Sequence, residues 1–126
     1  MGDFRNLRAW QRAVDLAVLS KELTAALPAT ERFALADQWR RAAYSIVLNI
    51  AEGASRRGPK EFRRYLDMAR SSLHEIEAIL ALVERLGYLK DADLSPIEAA
   101  RDDCAKMVYG LLRRMTRPGS PPSRTT

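Results

Sequence analysis

Apolar residues recur every three or four positions along most of the chain, a spacing that predicts helices and no strand. The first predicted helix runs from about Leu7 to Ala26, and Pro28 stops it. The second begins after Thr30, a candidate N-cap residue, and Gly53 is its candidate terminator. A continuous apolar stripe gives this second helix one clear buried face. The stripe consists of Leu35, Trp39, Ala42, Ala43, Ile46 and Ile50.

The third predicted helix is the longest, from about Pro59 to Leu86, and Gly87 ends it. The fourth begins at Ser95, a candidate N-cap residue that is followed by Pro96 at the first helical position. The connections between the predicted helices are about four to nine residues long, and such short connections favour antiparallel neighbours.

These elements together predict an all-α fold, an antiparallel up-down-up-down four-helix bundle. We assign the bundle domain to residues 1–115. Residues 116–126 are rich in proline, serine and arginine. Such a composition buries little apolar surface, and we therefore expect residues 116–126 to form a disordered tail.

The second predicted helix carries a polar stripe directly beside its apolar one, when residues are placed at 100° intervals. The polar stripe consists of Gln38, Arg41, Ser45, Asn49 and Glu52. On its far side lie Tyr44 and Leu48, where an isolated bundle would carry charges. The first and third helices also hold more apolar positions than one buried face needs. We expect self-association, with Tyr44 and Leu48 at a subunit interface; exposed apolar surface is the alternative.

Composition narrows the class of protein. The 126 residues are 47% apolar and 29% charged, which suits one domain with one core. No apolar run reaches the roughly 18 to 20 residues that span a bilayer, and the N-terminus lacks the pattern of a secretory signal. A single cysteine, Cys104, excludes an intramolecular disulfide. These features predict a cytoplasmic protein without a membrane partner.

Charge adds a candidate binding site. The net charge of +5 favours anionic partners, and five cations fall within nine positions against one acid, Glu61. This basic cluster consists of Arg56, Arg57, Lys60, Arg63 and Arg64. Guanidinium groups at a loop and a helix N-terminus suit phosphate oxygens, so the cluster predicts nucleic-acid binding. There is no aromatic interleaving for base stacking and no recognition-helix signature, so binding should follow the backbone and depend on salt. A solvated surface is the alternative.

No motif predicts catalysis. In the segment from Gly53 to Lys60, the two glycines Gly53 and Gly58 have the spacing of a phosphate loop. However, Pro59 stands where that loop needs lysine. His74 is the only histidine, which excludes a histidine cluster for zinc. Cys104 fits a core position better than a nucleophile. We therefore predict a non-enzymatic protein with no metal and no cofactor.

Glu52 and Glu75 are the remaining candidates for chemistry, and Arg41 is close enough in register to pair with either. One interpretation is a metal site or an acid/base pair. The favoured interpretation is a polar network with Arg41, Asn49 and Ser72 that fixes register and assembly.

Three segments resemble a known family: Phe4–Gln11, Leu35–Ile46 and the string Asn49–Gly53. They are similar to the four-helix bundle proteins encoded in intervening sequences of bacterial large-subunit ribosomal RNA genes, and the resemblance covers residues 4–90. It implies an antiparallel bundle that assembles as a homopentamer around a central channel. A protein related in fold, the accessory variability protein of diversity-generating retroelements, is a basic pentamer that binds nucleic acid and a reverse transcriptase.

Two functions follow from these observations. The first is a homo-oligomeric helical protein, a pentamer by resemblance, that binds RNA or DNA through phosphate contacts. The alternative is a scaffold or accessory subunit that binds only protein, for example a reverse transcriptase.

Overall fold

The computed structural model describes residues 3–115, which form four α-helices and two short 3-10 helices. The helices are α1 (Arg8–Ala25), α2 (Leu35–Ala54), α3 (Gly58–Leu86) and α4 (Ser95–Met115). No strand occurs in this part of the chain, which confirms the predicted all-α class. The predicted tail, residues 116–126, lies outside the described residues.

The prediction that Thr30 caps the second helix is wrong, because α2 begins at Leu35. Residues Ala29–Glu31 instead form a 3-10 turn, in which the Glu31 amide donates to the Pro28 carbonyl at 2.9 Å. Tyr88 Oη donates to Glu31 Oε2 at 2.8 Å, and this hydrogen bond raises the pKa of Tyr88. The contact ties the turn to the chain that follows α3, so the turn is held by tertiary structure rather than by helix capping.

Gly53 was predicted to end α2. The helix instead continues one residue further, to Ala54, so Gly53 lies in its last turn. A Cβ at Gly53 would lie 2.8 Å from Tyr65 Cβ and 2.9 Å from Phe62 Cδ1. The glycine therefore permits a close approach of α2 and α3. Gly87 ends α3 as predicted, in the left-handed conformation at φ +76°.

α4 begins at Ser95 as predicted, but the acceptor at its start is Asp93. The Asp93 carboxylate accepts hydrogen bonds from both the hydroxyl and the backbone amide of Ser95. These two hydrogen bonds lower the pKa of Asp93.

All four helices contribute to one buried core. Its largest fully buried side chains include Leu16, Trp39, Ile46, Phe62, Ile76, Ile97 and Val108. The Trp39 indole donates to the buried Ser20 hydroxyl at 3.0 Å, so the largest core side chain has its polar atom satisfied. None of the helices within residues 3–115 is long and apolar enough to span a bilayer.

Contacts join each helix to the next one along the chain and also join α4 to α1. Between α2 and α3, Ser45 meets Ser72, and Gly53 further along α2 meets Tyr65 earlier on α3. Between α1 and α4, the Cys104 thiol donates to the Ala9 carbonyl at 3.6 Å. Between α2 and α3, the residue that comes later on α2 thus contacts the residue that comes earlier on α3.

Candidate nucleic-acid interface

The basic cluster lies at the connection between α2 and α3, where only residues 55–57 separate the two helices. Gly58 has φ +79° with open space around its Cβ position, so the glycine allows the turn by its conformation. Arg56, Arg57 and Lys60 are exposed at this turn, and Arg63 is half-buried.

Two of the five cations are held against one aromatic ring. Arg56 Nη2 donates to Tyr65 Oη at 3.0 Å, and Arg56 Cζ lies 5.2 Å from the ring centre. Arg64 Cζ lies 4.6 Å from the same centre, within range of a cation–π interaction. Tyr65 was not predicted as part of the cluster, although it directly follows Arg64 in the chain. The expectation that no aromatic residues are interleaved for base stacking stays a prediction.

The same two arginines are also paired with acids. Arg56 forms an ion pair with Glu52, one turn earlier on α2. Arg64 donates to Glu61 at 3.2 Å, and this hydrogen bond raises the pKa of Arg64. Both pairs are exposed, so they stabilise the fold by little.

The side chains of Arg57, Lys60 and Arg63 form no ion pair or hydrogen bond with any other residue of the described chain 3–115. Their positive charge is therefore not neutralised by a neighbouring carboxylate. The cluster thus contains two arginines that Tyr65 orders and three cations that remain available to an anion.

The polar stripe of α2 makes two separate sets of contacts with α3. Gln38 donates to the Glu75 carboxylate. Ser72 Oγ donates to Ser45 Oγ at 3.1 Å, and Asn49 donates to the same Ser45 hydroxyl at 3.0 Å. These hydrogen bonds join Gln38 with Glu75 in one set and Ser45 with Ser72 and Asn49 in another; the predicted role of the polar network in register and assembly stays a prediction.

Arg41 does not pair with Glu52 or Glu75, contrary to the sequence-based interpretation. It pairs with Asp37 at 3.0 Å on its own helix, and 76% of its side chain is exposed. Glu52 pairs with Arg56 in the α2–α3 connection, whereas Glu75 accepts from Gln38 on α2, so the two carboxylates have different partners. Within residues 3–115, no group of histidine, cysteine, aspartate or glutamate side chains is placed to hold a metal ion.

The predicted interface residues line an open apolar groove of about 460 Å³ between α1 and α2. Leu48 is 67% exposed and Tyr44 is 40% exposed. Val14, Val18 and Val47 complete the apolar walls, and Lys21 lies at the edge. This α1–α2 groove leaves a contiguous apolar surface in contact with solvent.

Comparison of the chain with known protein families identifies a matching family. The family described as 23S rRNA-intervening sequence protein has a model that matches residues 5–110. No curated protein is similar enough in sequence to match the chain. The family match extends through most of α4, beyond the limit at residue 90 that the sequence resemblance set. The match covers most of the chain, and this protein therefore belongs to the 23S rRNA-intervening sequence protein family.

Proposed function

We propose that this protein is a non-enzymatic, homo-oligomeric helical bundle that binds RNA or DNA through backbone phosphates. The observation that carries the proposal is the group of three unpaired cations, Arg57, Lys60 and Arg63, beside the arginines ordered by Tyr65. Guanidinium and ammonium groups without carboxylate partners are the donors that phosphate oxygens use. Because no base edge is read by such contacts, we expect binding without marked sequence preference.

The proposed fold is the antiparallel up-down-up-down arrangement. The contacts of Ser45 with Ser72 and of Gly53 with Tyr65 support opposite directions for α2 and α3. The hydrogen bond from Trp39 to Ser20 supports the same relation between α1 and α2. In this arrangement, the start of α1 and the end of α4 lie at the same end of the bundle as the α2–α3 connection.

The proposed assembly uses the α1–α2 groove. Its exposed Leu48 and Tyr44 leave an apolar surface that a second subunit would remove from water. The resemblance stated above implies five subunits. In such an assembly the basic cluster repeats once per subunit, so weak single contacts become multivalent.

A second candidate function is a scaffold that binds only protein, such as a reverse transcriptase. The α1–α2 groove favours it, because an apolar surface of this kind also suits a protein partner. This alternative predicts no binding of nucleic acid at any salt concentration.

Fluorescence anisotropy with a structured RNA and a duplex DNA tests the proposal, over a range from low to physiological salt. The turn variant, Arg57→Gln, Lys60→Gln and Arg63→Gln, should bind about tenfold more weakly and with a salt slope smaller by about two to three, since each phosphate contact contributes about 0.9 to the slope on duplex DNA.

The matched control removes three cations elsewhere: Arg32→Gln, Arg85→Gln and Lys90→Gln. It changes the net charge by the same amount near the opposite connections, so it should bind almost as the unmodified protein does. Equal losses in both variants would show a general charge effect and contradict the site. Absence of binding at low salt would favour the protein scaffold.

A further inference from the structure

The charge of the bundle is divided between its two ends. Matched levels of the helices are set by the contacts of Ser45 with Ser72 and of Arg101 with the Leu73 carbonyl. On the side of these levels that carries the α2–α3 connection, the segments 3–16, 45–72 and 101–115 hold 13 lysines and arginines against seven acids. The segments 17–44 and 73–100 hold six against nine. The positive charge of residues 3–115 is therefore concentrated at the end that carries the α2–α3 connection.

A second basic surface lies at this end, in a groove of about 430 Å³ between the start of α1 and the last turns of α4. Arg8, Lys106 and Arg114 line it, and all three side chains are exposed. None of these three side chains forms an ion pair or hydrogen bond with another residue in the range 3–115. No acidic residue contributes to the lining.

Gly110 lines this α1–α4 groove. It lies inside α4, and a Cβ at this position would meet no atom within 4 Å. The glycine is therefore not required by packing against another helix, in contrast to Gly53. Its effect is to leave free space between cations on both walls of the groove.

We propose that the α1–α4 groove is the second half of one phosphate-binding surface, which extends across the basic end of the bundle from the α2–α3 connection. The proposal rests on the proposed function, because it assigns further phosphates of the same nucleic acid to Arg8, Lys106 and Arg114. Neighbouring helix axes in bundles lie about 8 to 10 Å apart. A duplex that crosses this end therefore has room to contact both sites, since its phosphates repeat about every 3.4 Å along each strand.

The start of the described chain supports a link between the two basic surfaces. The 3-10 helix Phe4–Asn6 precedes α1 and contacts α2. The Cys104–Ala9 contact places the first turn of α1 beside the middle of α4. The beginning of the described chain thus contacts α2, and its residues Asn6 to Ala9 line the α1–α4 groove.

The test compares three triple variants on the same duplex DNA by fluorescence anisotropy. The groove variant is Arg8→Gln, Lys106→Gln and Arg114→Gln. The other two are the turn variant and the opposite-end control defined above. We expect the groove variant to bind about tenfold more weakly with a salt slope smaller by about two to three, and the control to change little. Combining the groove and turn variants should add both losses.

The outcomes separate this inference from the proposed function. A groove variant that behaves like the opposite-end control, while the turn variant loses affinity, overturns the inference and leaves the proposed function in place. An unmodified protein that binds no nucleic acid overturns both. Inorganic phosphate that stabilises the unmodified protein but not the groove variant, with unchanged duplex affinity, identifies a site for a small anion and also overturns the inference.

Discussion

At the scale of single residues, Gly53 of α2 and Gly110 of α4 differ in what surrounds them. Gly53 faces Tyr65 Cβ and Phe62 at distances that no added methyl group tolerates. Gly110 faces open space. The two roles cannot be distinguished from the sequence, because a glycine inside a helical pattern looks the same whether it marks a helix terminus or a close approach of two helices. Only the position of the neighbouring helix distinguishes the two.

We expect Gly53→Ala to destabilise the protein by about 1–2 kcal/mol, because overpacking costs about 1–3 kcal/mol and alanine recovers up to about 1 kcal/mol of helix propensity. Gly110→Ala is the matched control and should stabilise by about 1 kcal/mol. Urea unfolding at one protein concentration measures both. Equal stabilisation by the two substitutions would show that α2 and α3 are not in close contact at Gly53.

The single cysteine gives a second prediction at this scale. Burial raises the pKa of Cys104 to about 12, and the thiolate is the form that reacts. In the native protein at pH 8, we expect a thiol reagent to leave Cys104 unmodified, with full labelling after unfolding in guanidinium chloride. The raised pKa also means that native stability falls as the pH rises above about 9, the ordinary value. Rapid labelling of the native protein would contradict a buried Cys104.

At the scale of elements, α2 shows how much periodicity predicts. Its apolar stripe correctly identified Trp39, Ile46 and Ile50 as core, because burial follows the 3.6-residue period. Its polar stripe includes Ser45 and Asn49, whose side chains are hydrogen-bonded to each other within α2. The hydrogen-bond partners of the stripe residues were not predictable, because a side chain such as Arg41 can reach an acid on its own helix as well as one on another helix. The start of α2 was also missed, because Glu31 is held by Tyr88, which is distant in sequence.

The exposed apolar face of α2 leads to the third prediction. Leu48→Glu places a charge in the centre of the α1–α2 groove, and a buried unpaired charge opposes association. We expect light scattering to show monomers where the unmodified protein is an oligomer, with helix content retained in circular dichroism because Leu48 is not part of the core.

Phe33→Glu is the matched control for Leu48→Glu. Phe33 is 87% exposed but does not line the α1–α2 groove, so this variant should retain the oligomer. Val18→Glu changes another groove residue and should act as Leu48→Glu does. An unchanged oligomer in both groove variants would place the subunit interface elsewhere.

At the scale of the whole molecule, the division of charge was not readable from the chain. Arg8, Arg57 and Arg114 are far apart in sequence, and each segment alone carries only a modest charge. The proposed up-down-up-down arrangement brings them to one end of the bundle. Closed cyclic symmetry would then place the same end of every subunit on one face of the assembly. The basic cluster alone was predictable, because its five cations are close together in the sequence.

Assembly and binding are therefore coupled in a measurable way. In the proposed assembly, a long duplex would contact the basic ends of several subunits, whereas a duplex of about ten base pairs, roughly 34 Å long, would be covered by one or two. The Leu48→Glu monomer keeps every cation, so we expect its affinity for the short duplex to be nearly unchanged. Its affinity for a long duplex should fall about a hundredfold, because multivalency commonly contributes 10² or more. Anisotropy with both lengths makes the comparison. An equal loss on both would mean that Leu48 acts on the binding surface itself, and no loss on either would mean that one subunit supplies the whole site.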